Sequence, residues 1–192
     1  VRIQAVAVDI GDESRVADAF SKARQTFGEP TILVNNAGTA EAAPFSRTDL
    51  RLWQRLIDID LTACFHVAQR AAKVMVAQRS GRIINLSSIM NHVSRPLLTA
   101  YVTAKGGIAA MTRAMAADLA DTGVTVNAIA PGWVDTEILR SVDPETMAGI
   151  LAEIPLGRLG RVEDPPALLL GCGSWSSRLG HVPTLAVLER TF

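Results

Sequence analysis

Short apolar runs alternate along the chain with longer stretches whose apolar positions recur at helical spacing, the pattern of βα units and a parallel sheet. Ile3 to Val8 reads as a buried strand. Val16, Ala19, Phe20, Ala23 and Phe27 then mark one face of a helix that Gly28 and Pro30 end. Thr31 to Val34 predicts a second strand, with Asn35-Asn36-Ala37-Gly38 turning out of it. Ser46 and Asp49 offer a capping-box start to a long helix reaching about Arg79. Gly81 breaks that helix, Arg82 to Leu86 predicts a third strand, and a loop through Pro96 leads into a helix from about Thr99 to Asp121. Gly123 stops it. Val124 to Ala130 is the fourth strand, closed by Pro131-Gly132, and Asp143-Pro144-Glu145 reads as an N-cap with proline in the first turn. Because the strands are continuously apolar rather than alternating, helices are expected on both faces of the sheet.

No internal repeat or linker divides the 192 residues, so 1–192 reads as a single domain. Its residues 161–192 form a tail of degraded pattern: Pro165-Pro166 precedes a short apolar stretch, Ala167 to Leu170, and no clean period returns until Thr184 to Val187. Composition is that of a globular protein, 48% apolar and 20% charged. A formal charge of zero without a basic stripe argues against a nucleic-acid partner. No apolar run reaches the roughly 18 residues of a membrane span, and no signal peptide is visible. Cys64 and Cys172 match neither a metal spacing nor a disulfide framework and read as thiols in a reducing cytoplasm. The chain enters at once into the strand at Ile3, and a protein rarely starts inside a core strand. An N-terminal portion is therefore expected to be missing.

Tyr101 and Lys105 stand four residues apart on a predicted helix, hence on one face. Tyrosine ordinarily titrates near ~10, too high for an efficient base at neutral pH, and a neighbouring ammonium favours the phenolate. Alone, the pair reads as a solvated helix face. Thirteen residues before Tyr101, however, the strand Arg82 to Leu86 ends in Ser87-Ser88. Open α/β sheets bind ligands beyond the carboxyl ends of their strands, where the Ser88 hydroxyl is able to bond a substrate oxygen as charge develops on it. Asn35 to Gly38 also follows a strand; its small residues permit close approach of a ligand, and its amides are able to tie neighbouring strands together.

In order and spacing these segments resemble the short-chain dehydrogenase/reductase family over about residues 1–160. They are Asp9 after a strand, Asn35-Asn36-Ala37-Gly38, Ser88, the Tyr101 and Lys105 pair, and Asn127-Ala128-Ile129-Ala130-Pro131-Gly132. Each motif is weak; the ordered set is specific. The resemblance implies an α/β, Rossmann-like, doubly wound parallel sheet that moves hydride between NAD or NADP and a carbonyl or alcohol carbon. Tyr101 would be the general acid/base, Lys105 its partner and the holder of the nicotinamide ribose, and Ser88 the group that polarises the substrate oxygen. Asp9 matches a contact to the adenine ring; Asn35, Ala37 and Gly38 match residues lining the cofactor. Pro131, Gly132, Val134 and Thr136 match the loop bordering the nicotinamide.

Three departures stand out. The family's glycine-rich phosphate loop is not found, so the first βαβ unit, with the residue that separates NAD from NADP, is expected to be absent. Asp60 stands where the family usually has asparagine in a proton relay from the lysine, so an altered relay is expected. Leu188-Glu189-Arg190 replaces the usual ending, through divergence or a shifted frame. A non-catalytic relative with impaired cofactor binding is the rival reading.

His66 reads as a packed or partly exposed side chain. His92 follows Ser88 at the mouth of the expected pocket and, with Asn91 and Arg95, is a candidate contact to a polar or acidic substrate. Met90, Trp133 and Leu139 are candidates to line the same cleft. The surrounding sequence is similar to gluconate and other sugar-acid dehydrogenases and to 3-oxoacyl-carrier-protein reductases, so a small-molecule substrate is expected. Asp135 to Gly160 is expected to form a mobile lid over it. The resemblance also implies a homotetramer or homodimer through the alanine-rich helices at about 48–79 and 99–121.

Overall fold

In a computed structural model, which describes residues 2–140, 142–161 and 164, three strands form one parallel sheet in the order β1-β2-β3. These are β1 (Ile32–Asn35), β2 (Gly81–Leu86) and β3 (Val124–Ile129). Helix α1 (Glu13–Phe27) precedes β1; α2 (Leu50–Ile57) and α3 (Ala63–Ala77) return the chain to β2; α4 (Thr99–Asp118) returns it to β3. Two shorter helices, α5 (Glu137–Arg140) and α6 (Pro144–Glu153), follow. The α/β architecture is the one the periodicity predicts. The expected irregular tail from Val162 on, with Cys172 and the strand-like Thr184 to Val187, lies outside the described residues apart from Asp164. No helix among the described residues is long and apolar enough to cross a membrane.

Carboxylate caps set the helix starts. Asp12 accepts from the amides of Ser14 and Arg15 at 3.0 and 3.1 Å. Asp49 accepts from Leu52 N at 2.8 Å, and Asp143 accepts from Thr146 N at 2.9 Å with Pro144 behind it. Ser46, expected to share the second start, instead sits in a 3₁₀ turn, Phe45–Arg47, so Asp49 caps α2 without a capping box. The helix expected to run unbroken to Arg79 contains a π turn, Asp58–Thr62, between α2 and α3. Periodicity could not reveal it, because one extra residue per turn barely disturbs an apolar stripe.

The expected first strand is corrected as well. Residues 3–8 form no strand, and Ile3 is 87% exposed. Apolar side chains make a strand only where a neighbour takes its backbone N–H and C=O groups, and no described strand pairs with this segment.

The core forms where α3 meets the sheet. Ala68, Ala71 and Met75 pack on Ile83 of β2 and on Val124 and Val126 of β3. At the alternate positions, Ile84, Leu86 and Ile129 form a second buried cluster. Both faces of β2 and β3 are thus buried, each large aliphatic contributing about 1.5–3 kcal/mol. Register aligns Asn35 with Asn85 and Leu86 with Ile129, so the three strands end side by side and their following loops meet at one edge.

Gly123, between α4 and β3, has φ +84°, and a Cβ there would overlap the Arg79 carbonyl. Gly123→Ala should therefore destabilise the protein by about 2–4 kcal/mol through strain and overlap together, measured by chemical denaturation. Wild-type stability in this variant would contradict the geometry.

Candidate active site

At that edge lies a cavity of about 540 Å³, bordered by the loops after all three strands and by α4, α5 and α6. Ser88, Tyr101 and Lys105 all line it. Ser88 caps a 3₁₀ turn, Ile89–Asn91, and its hydroxyl oxygen accepts from Met90 N at 3.2 Å, leaving its proton for another acceptor. Tyr101 sits in the first turn of α4 and Lys105 one turn on, the Nζ 5.6 Å from the ring centroid.

Lys105 is 5% exposed and closely held: its Nζ donates to the Leu86 carbonyl at 3.1 Å and meets Asp60 Oδ2 at 3.6 Å. Asp60 reaches it from the π turn and is itself buried. Its Oδ1 accepts from Thr39 N at 2.8 Å, while Oδ2 has no hydrogen-bond partner. Burial pushes the Asp60 carboxyl above its ordinary range, against the opposing pull of the Lys105 charge and the Thr39 N–H. Asp60 thus lies behind Lys105 rather than in the cavity wall.

Of the other residues singled out from sequence, Gly38, Gly132, Val134, Thr136, Met90, Arg95, Trp133 and Leu139 line the cavity. A Cβ on Gly38 would come within 3.2 Å of Lys105 Nζ and 3.4 Å of Asp60 Oδ2, so glycine keeps that wall thin. Asn35 does not face the cavity: its Nδ2 donates to Asn85 Oδ1 at 2.9 Å and to the Cys64 carbonyl at 3.3 Å. Asn85 in turn donates to Thr112 Oγ1 at 2.9 Å, so Asn35 ties β1 to β2 and α3. Cys64 lies against the same network, its thiol pushed up to about 12 by burial. Asp9, Ala37, Pro131 and His92 also stand outside the lining. Asp9 accepts from Gly11 N in its own turn, Ala37 is exposed, and the Pro131 carbonyl accepts from Ile89 N at 2.9 Å. His92 is exposed at the end of the 3₁₀ turn.

Sequence patterns missed several contributors. Ser87 Oγ donates to the Lys105 carbonyl at 2.8 Å and accepts from Asn91 Nδ2 at 2.9 Å, clamping α4 to the end of β2. Leu97 lines the cavity with φ +72°, its carbonyl held by Ala43 N at 2.9 Å. Val142, Thr146 and Ile150 close the far side. Leu97's backbone state and Ser87's clamp depend on contacts remote in sequence, and nothing local marks them.

A nicotinamide fits the donor set at this edge: a thin glycine wall, buried Val134 and Thr136, and an ammonium beside a phenol. A family model described as enoyl-(acyl carrier protein) reductase matches residues 1–170. Cis-4-hydroxycyclohexanecarboxylate dehydrogenase of Sinomonas cyclohexanicum is 39% identical over 160 residues, covering 83% of this chain and 64% of that protein. The 3-oxoacyl-[acyl-carrier-protein] reductase of Escherichia coli K12 is 32% identical over 157 residues, 82% and 64% respectively. The chain thus spans just under two thirds of the length of these relatives. A gluconate 5-dehydrogenase from Burkholderia cenocepacia J2315, solved with NADP and tartrate, superposes with a TM-score of 0.87 at 30% identity, covering 94% of this chain and 72% of that one.

A raised Asp60 carboxyl has a stability consequence. The folded protein holds this proton more tightly than the unfolded chain. Its contribution is full below the ordinary value of 3.8 and is lost as pH climbs through the raised folded value. Asp60→Asn removes that titration, so the variant's thermal midpoint should gain on the parent's as pH rises from about 4 to 7, followed by circular dichroism. A midpoint difference that stays flat with pH would show that this carboxyl is not raised.

Proposed function

The chain belongs to the short-chain dehydrogenase/reductase family, and we propose that it transfers hydride between NAD or NADP and a secondary alcohol or carbonyl. The observation that carries this reading is the meeting of Ser88, Tyr101 and Lys105 on one cavity at the carboxyl ends of parallel strands. When bound, the nicotinamide supplies the two-electron chemistry. Ser88 donates its hydroxyl proton in a hydrogen bond to the substrate oxygen. Tyr101 takes the proton of that oxygen in the oxidative direction and returns it in the reductive one. Lys105, fixed by Leu86 and Asp60, places positive charge one turn from the phenol and stabilises the phenolate. Asp60 serves the site by holding Lys105.

Gly38, Gly132, Val134 and Thr136 would border the nicotinamide, with Lys105 toward its ribose. Sugar acids, polyols and 3-oxoacyl thioesters are the candidate substrate classes. The same reading pairs copies of the chain as a dimer or tetramer through α2, α3 and α4; Phe65, 43% exposed on α3, favours such a contact. A cytoplasmic setting belongs with it.

Titration with NADH and NADPH, followed by cofactor fluorescence, should show saturable binding of at least one. Tyr101→Phe should keep that binding and lower kcat by about a hundredfold or more. Full turnover in this variant would remove Tyr101 from the chemistry, and binding of neither cofactor would favour a non-catalytic relative.

A further inference from the structure

Three charged side chains line the cavity among the described residues: Glu41, Arg95 and Lys105. Lys105 is committed to Leu86 and Asp60, and Glu41 pairs with Arg55. Arg95 differs. Its guanidinium lies over the Trp133 ring, 5.2 Å from the centroid, and its side chain is 23% exposed. Its ion-pair partner is Glu153, the last residue of α6, at 3.5 Å with 60% of that side chain exposed. This separation is long for a charge-assisted bond, and a pair so open to water is held weakly. A guanidinium stacked on an aromatic face still directs its in-plane N–H fork at a carboxylate.

Much of the remaining wall is apolar, formed by Leu86, Ile89, Met90, Leu97, Leu139 and Ile150. A densely hydroxylated body would leave its hydroxyls unpaired there, whereas an aliphatic or alicyclic one would not. We infer that Arg95 is the substrate-selecting residue of this pocket, taking the carboxylate of a hydroxy or oxo acid with an apolar body in exchange for Glu153. The inference rests on the cavity being the substrate pocket of the proposed oxidoreductase, and it favours apolar-bodied hydroxy or oxo acids over sugar acids, polyols and 3-oxoacyl thioesters.

Calorimetric titration of the full 192-residue chain with 5-oxohexanoate and with the neutral 5-oxohexanamide tests this without requiring turnover. The acid should bind at least tenfold more tightly than the amide. Arg95→Met, which keeps the apolar stem over Trp133, should bring the acid down to the level of the amide. Glu153→Gln, which frees the guanidinium, should tighten acid binding severalfold and leave the amide unchanged. Equal binding of acid and amide, a preference that survives Arg95→Met, unchanged acid affinity in Glu153→Gln, or no saturable binding of either probe overturns the inference. Failure of cofactor binding would instead sink the oxidoreductase reading while acid selectivity stayed measurable. Reduction of neutral ketones without any preference for acids would sink this inference alone.

Discussion

A buried ammonium organises the edge of the sheet where the cavity lies. Lys105 is almost wholly withdrawn from water, and a charge in that position persists only where fixed partners replace its hydration. The Leu86 carbonyl, the Asp60 carboxylate and the Tyr101 ring are those partners, drawn from a strand end, a π turn and the preceding turn of its own helix. The arrangement that sets the ammonium beside the Tyr101 ring is therefore the same one that brings three elements together.

A π turn carries the acidic member of this geometry. Asp60 lies inside the turn Asp58–Thr62, and from there it combines a bond from Thr39 N with an approach to Lys105. Carboxylate and ammonium also carry a cost. Two charges out of water repay their desolvation only with full satisfaction, and Asp60 Oδ2 lacks a hydrogen bond. The protein keeps a locally unfavourable group where chemistry is expected, as functional sites often do. Around it the uncharged network of Asn35, Asn85 and Thr112 is hydrogen-bonded throughout, tying strand to strand beside the cavity.

Where the cavity opens follows from topology. Parallel strands in sequential order deliver three loops to a single edge, and α4, α5 and α6 border the same space. The contrast within that space is chemical: a polar corner at Ser88, Tyr101 and Lys105, a largely apolar wall, and one stacked guanidinium at Arg95. Position within the fold accounts for the polar corner; the stacked guanidinium comes from a loop and meets its carboxylate on α6.

Much of this was legible from residue order alone. Apolar runs specified the three strands, Asp49 and Asp143 marked the starts of α2 and α6, and the four-residue spacing of Tyr101 and Lys105 placed them on one helical face. These are local properties, decided within a few residues by backbone geometry and periodicity. Tertiary contacts decided the rest. The apolar segment at residues 3–8 forms no strand because a strand exists only with a neighbour, and Asn35 turned from the cavity because Asn85 lay within reach across the sheet. Asp60 became the lysine's counter-ion through a helix irregularity that no pattern announces. Sequence spacing determines which groups one element presents, while the partner each group meets depends on packing between elements far apart in the chain.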